Sequence, residues 1–169
     1  MRAFTEIQRF TQSWLLIILI LAFGFVGYGL FKEYTTLDVN SNSEVLKFLL
    51  GVFIAVFSLG LIFIFQLKTK INEQGIFYGF WPIQRNLKHI KWEEIDKIYV
   101  REYSPISEYG GWGYRFSFGK HGKAYNVSGS TGIQIIFKNG KKTLIGTQKK
   151  KEAESVINTY KNKLNENLI

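Results

Sequence analysis

The chain has 169 residues, with 22 Lys and Arg against 13 Asp and Glu, a formal net charge of +9 and no cysteine. That length suits one soluble domain with a membrane anchor better than two soluble domains. The lack of cysteine excludes disulfides, thiolate nucleophiles and cysteine-held zinc or iron–sulfur centres.

Residues 1–13 read as a short polar lead. Trp14–Phe31 and Phe48–Phe65 follow as two apolar runs without Asp, Glu, His, Lys or Arg at any interior position. Each run, as a helix, rises roughly 27 Å, near the thickness of a bilayer's hydrocarbon core. The first run is longer than a signal-peptide core, and its small-x-small sequence, Gly27-Tyr28-Gly29, lies inside it, so a retained helix is expected. Gly24 and Gly27 on one helix and Gly51, Ala55 and Ser58 on the other are small residues on which the two could close. With no ionisable group in either run, a transport path or proton relay is not expected.

Lys32–Lys47 reads as the loop between them, with Lys32 and Lys47 against Glu33, Asp38 and Glu44. Arg2 and Arg9 precede the pair, and Lys68, Lys70, Arg85 and Lys88 follow it. The more basic flanks belong inside. The expectation is a multi-pass protein of the cytoplasmic membrane with both termini in the cytoplasm. Residues 66–169 hold eighteen basic and nine acidic residues, and residues 1–65 hold four of each, so the whole excess charge sits in the second part. A basic domain at a bilayer is attracted to anionic headgroups by about 1 kcal/mol per Lys or Arg near the surface.

Beyond the second run, Leu67–Ile71 alternates as a half-buried strand, Glu73-Gln74-Gly75 reads as a turn, and Ile76–Trp81 as a strand stopped by Pro82. Ile90–Ile95 reads as a strand end with one helical turn, and Lys97–Tyr103 alternates again. Ser104–Gly113 reads as a loop. Tyr114, Phe116 and Phe118 alternate, and Gly119–Gly122 turns the chain into Lys123–Val127. Asn139-Gly140 predicts a two-residue hairpin pairing Ile136 with Thr143 and Ile135 with Leu144, which puts Ile133, Ile135, Phe137 and Leu144 on one face. Thr147 is placed to cap a last helix with Ala153, Val156, Ile157, Tyr160 and Leu164 on one stripe.

The predicted fold is α+β, mostly β. Residues 1–66 form an anchor of two transmembrane helices (about 14–31 and 48–65), and residues 67–169 a barrel of about seven antiparallel strands with a C-terminal helix. The stretch Gly75–Gln148 resembles a family of small bacterial membrane proteins with two N-terminal helices and a pleckstrin-homology-like (PH-like) domain. The residues that carry the resemblance begin with Pro82, Ile90-Lys91-Trp92 and Glu94-Ile95, then Val100–Pro105 and Tyr109–Gly113. They end with Ala124–Gly129 and Leu144–Gln148. The resemblance implies architecture and location and brings no catalytic residues. Many PH domains bind phosphoinositides through basic residues in a long first hairpin loop, where this chain has the short, uncharged-to-acidic Glu73-Gln74-Gly75.

No enzyme, cofactor or metal site is expected. His89 and His121 lack ligand spacing, no serine lies in a GxSxG context, and Glu93 and Glu94 point apart. Gly110-Gly111-Trp112-Gly113 and Gly129–Gly132 lack phosphate-loop spacing. Membrane tethering and the lack of a recognised nucleic-acid-binding signature argue against nucleic acid. The function expected is a membrane-anchored binding or scaffold module for a protein partner or an anionic lipid surface; the alternative is a structural or assembly subunit of a membrane complex. Arg101, Tyr103, Tyr109, Trp112 and Arg115 are the candidate partner-binding residues, because Trp, Tyr and Arg dominate interface hot spots. Lys68, Lys70, Lys149, Lys150 and Lys151 are the candidate lipid-surface contacts.

Overall fold

A computed structural model describes residues 3–37, 41–117 and 119–164. Arg2, Asp38 and Phe118, used above, lie outside them. The chain divides into two compact units: Phe10–Ile64, and the strand Phe4–Arg9 joined to the chain from Phe65 onward.

The first unit is a pair of helices, α1 (Ser13–Thr36) and α2 (Asn42–Ile64). Both outrun their apolar cores, so Lys32, Glu33, Glu44 and Lys47 sit on helix ends and not in a loop. Among the described residues α1 is the one helix long and apolar enough to cross a membrane by length and composition. The second expected span is helical and presents Leu49, Leu50, Phe53, Ile54 and Phe57 outward. Of the glycines expected at the helix contact, Gly51 lies at it and Gly24 and Gly27 do not. A Cβ on Gly24 or Gly27 would meet nothing within 4 Å, and one on Gly51 would rest 3.9 Å from Leu30 Cδ2. The helices meet through Leu30 at Gly51 and the Tyr34 and Phe48 rings, 6.0 Å apart.

The second unit begins before the helices. Residues 4–9, expected as a polar lead in the anchor, are strand β1 (Phe4–Arg9), which pairs antiparallel with β2 (Gln66–Asn72). Phe4, Glu6 and Gln8 turn inward while Ile7 faces out. That inverts the usual alternation and hides the strand from a hydrophobicity pattern. β3 (Gly75–Trp81) and β4 (Lys88–Ile90) complete a four-stranded sheet in the order β1-β2-β3-β4. A second sheet contains β5 (Ile95–Glu102), β6 (Gly113–Phe116), β7 (Lys123–Asn126), β8 (Thr131–Phe137) and β9 (Lys142–Gly146), in the order β5-β8-β9-β7-β6. The expected loop before β6 contains a short helix, α3 (Pro105–Tyr109), started by a proline and ended by Gly110 in the left-handed region.

Two features depart from a barrel of about seven antiparallel strands. The described residues form two open sheets with nine strands, and β7 runs parallel to β9. The core lies between the sheets, where Leu67, Ile71, Ile76 and Phe80 face Ile98, Tyr125, Ile133 and Ile145. The Tyr78 ring meets Tyr125 edge-on at 4.8 Å. The final helix, α4 (Lys150–Tyr160), buries Ala153, Val156, Ile157 and Tyr160 as expected and packs on β1 and β2 of one sheet and β5 and β8 of the other. Thr147 does not cap it: its hydroxyl accepts from Lys149 N at 3.1 Å, one residue ahead of the helix.

The β8–β9 hairpin is shifted by one residue from the predicted register. Ile136 pairs with Lys142, Ile135 with Thr143 and Gln134 with Leu144. Phe137 N donates to Lys141 O, Gly140 N donates to Phe137 O, and Gly140 alone takes a positive φ. The turn therefore has three residues and a glycine bulge, the next commonest hairpin after the two-residue form. One residue of shift moves Leu144 to the opposite face from Ile133 and Ile135. There it is buried with Tyr103, Tyr109 and Ala124.

Candidate functional site

The residues expected to bind a partner are brought together, but mostly inward. α3 folds back over the outer face of the five-stranded sheet and brings its own Tyr109 in against Tyr103, Ala124 and Leu144, so that Tyr103 and Tyr109 are 5% and 3% exposed. Asn126 Nδ2 donates to Tyr103 Oη at 2.8 Å, and Tyr109 Oη donates to His121 O at 3.2 Å. Burial pushes the Tyr103 hydroxyl up to about 12 and raises that of Tyr109. Arg101 is occupied. Its Nη1 and Nη2 reach Glu108 at 3.1 and 2.6 Å, while its Nε donates to Gln134 Oε1 at 3.0 Å. The hydrogen bonds from Arg101 hold the Glu108 carboxyl below the usual carboxylate range, and the same bonds raise Arg101. Trp112 is half-buried with Nε1 donating to Gly129 O at 3.1 Å, and exposed Arg115 donates to Trp112 O at 2.8 Å. Of the five, Trp112 and Arg115 keep surface a partner could touch. Tyr103 and Tyr109 do not.

The lysine candidates lie apart. Lys68 and Lys70 project from the outer face of the four-stranded sheet, Lys68 Nζ standing 5.2 Å from the centre of the Trp81 ring. Lys149 pairs with Glu152 at 3.2 Å and Lys150 with Glu102 at 3.3 Å, while Lys151 is exposed. These carboxylates offset basic charge at the unfavourable end of a helix dipole, and such exposed pairs contribute about 0–1 kcal/mol.

A different set of basic residues surrounds a cavity of about 480 Å³. Tyr78 on β3 and Tyr125 on β7 form its floor, and Lys88, Lys120, Lys123, Lys141 and Lys142 surround it. Among the described residues its lining contains no Asp or Glu. Lys88 Nζ donates to Tyr125 Oη at 2.6 Å and stands 5.7 Å from the centre of the Tyr114 ring. Burial raises the Tyr78 hydroxyl well above the ordinary phenol range, with Tyr125 adding to the rise, so it stays protonated and able to donate. Two glycine turns shape the rim. Gly140 ends the β8–β9 hairpin, and Gly122, at φ +78°, passes so close to β9 that a Cβ there would lie 2.3 Å from Lys142 O.

Several ammonium groups around hydroxyl groups, without a carboxylate among the described lining, give the cavity a positive potential, the arrangement that attracts an anion. From the sequence, Gly119–Gly122 and Asn139-Gly140 read as turns only. The signal for the site is the lysines beside both glycine turns, at 120 and 123 and at 141 and 142. The chain matches no protein-family model, no curated protein and no solved structure.

Proposed function

We propose that this is a membrane-anchored binding module without enzymatic activity, whose lysine-ringed cavity holds a phosphate-like anionic group. In this reading α1 and α2 both cross the bilayer as a hairpin and the second unit is a PH-like domain in the cytoplasm. The observation that carries the binding assignment is the cavity itself: five lysines over two buried tyrosines, with no acidic residue among its described lining. The pairing of β1 with β2 supports an even number of crossings, because Arg9 and Gln66 are partners in one sheet and must lie on the same side of any membrane. The basic flanks favour the cytoplasmic side. The PH-like reading draws on two facing sheets with a C-terminal helix packed on both.

Binding is tested on the full chain in nanodiscs of phosphatidylcholine, titrated with inorganic phosphate and then pyrophosphate, with thermal stability as the readout. A ligand that binds only the folded state raises the melting temperature in proportion to its saturation. The expected result is a larger rise with pyrophosphate, reduced by added salt and by Lys123→Gln with Lys142→Gln. An unchanged melting temperature with both anions, or a rise that the double variant leaves intact, would overturn the assignment.

A further inference from the structure

We infer that the turn after β3, Trp81–Arg85, seats in the headgroup region of the same bilayer that holds the helices, with Ile83 as its inserted side chain. The inference rests on the membrane-anchored reading above. Ile83 is 73% exposed and Trp81 37% exposed, large apolar surfaces for one tight turn of a water-facing unit. The turn is held in shape by Gln84, whose N donates to Phe80 O at 2.7 Å and whose Oε1 accepts from Phe80 N at 3.0 Å. Ile83 therefore projects from a braced support.

Sheet register indicates what covers it. Arg9, Gln66 and Trp81 lie side by side on the last rung of the four-stranded sheet. Ser13 opens α1 four residues after Arg9, and Ile64 closes α2 two residues before Gln66. Both connections to the helices thus leave from the rung that ends in Trp81. Arg9, Lys68 and Arg85 supply positive charge around it, and residues 81–87 include no Asp or Glu. An indole with basic neighbours beside an apolar tip is the composition favoured at an anionic bilayer interface.

The cysteine-free sequence makes single-site labelling clean. Ile83→Cys, Leu21→Cys on α1 and Ile106→Cys on α3, all at exposed side chains, each carry an environment-sensitive fluorophore on the full chain. The nanodiscs contain phosphatidylcholine and phosphatidylglycerol with a lipid-borne doxyl quencher. The expected result is blue-shifted, lipid-quenched emission at positions 83 and 21, and unquenched emission at 106. Lipid quenching at 21 with a bright label at 83, open to an aqueous quencher, would overturn this inference and leave the anchor standing. A label at 21 that the lipid does not quench would overturn the anchored reading and the inference with it. A label at 83 shielded from both quenchers means a protein covers the turn, and equal quenching at 83 and 106 means a non-specific contact; either result also overturns it. Arg85→Cys, expected to be quenched more weakly than Ile83→Cys, repeats the test if the first label perturbs folding.

Discussion

Glu6 Oε2 accepts a hydrogen bond from Thr147 Oγ1 at 2.7 Å, joining the strand before the first helix to the turn before the last one. Its other oxygen accepts from Gln148 N at 2.8 Å, and the side chain is buried. Glu6→Ala leaves both donors without their partner, a loss of about 1–3 kcal/mol. Chemical denaturation of the full chain should show that loss in the second unit. A change within a few tenths of a kcal/mol would mean water replaces the carboxylate.

The Arg101–Glu108 pair makes stability depend on acid. Because the folded-state pKa of Glu108 is depressed, its contribution is complete above the ordinary glutamate range and fades as pH falls through the folded value. Glu108→Gln should therefore cost on the order of 1–2 kcal/mol at neutral pH, and the gap from wild type should close below about pH 4. Paired melting curves across that range would show it. A gap independent of pH would rule out the ionic part.

At the alkaline end the sign reverses. Tyr103 titrates at about 12 in the fold against an ordinary 10.0, so its contribution is complete below about pH 10 and is lost as pH rises to about 12. Tyr103→Phe gives up the Asn126 hydrogen bond but should remove part of that alkaline slope. Tyr78, Tyr109 and Tyr114, also raised by burial, keep the remainder. Stability measured at several alkaline pH values, with phenolate absorbance, tests both statements.

Gly122 and Gly140 both take positive φ but differ in space. A Cβ on Gly140 meets nothing within 4 Å, whereas one on Gly122 strikes Lys142 O. Gly140→Ala should cost about 1–2 kcal/mol for the left-handed backbone alone. Gly122→Ala should cost more and weaken pyrophosphate binding by moving the rim of the cavity. Equal losses would show that the turn yields without strain.

What the sequence disclosed follows from how each residue is buried. α4 was legible because Ala153, Val156, Ile157 and Tyr160 all face one way, as were β2 and β3, which alternate or run apolar. β1 was not, since its inward side chains include Glu6 and Gln8, which hydrogen-bond to Thr147 and to Gly146 O far along the chain. The hairpin was found, but its register was not, because Asn-Gly suits turns of two and of three residues. Tyr103 and Tyr109 read as a contact surface because nothing local signals that α3 carries Tyr109 inward and covers Tyr103. The cavity joins lysines from three strands and two turns, a proximity that only tertiary structure creates.

The order of synthesis gives β1 an unusual start. It is made before either helix, yet its one neighbour in the sheet among the described residues, β2, follows the whole of Phe10–Ile64. Until then the strand waits with its backbone unpaired, the condition in which nascent chains find wrong partners. Its alternation offers such partners little beyond Phe4: on that face Glu6 and Gln8 need their specific partners, and on the other Ile7 stands between Thr5 and Arg9. A strand with so little general stickiness can afford the delay. Its docking then marks the moment at which the segment between the two strands has been delivered and β2 gains its antiparallel partner.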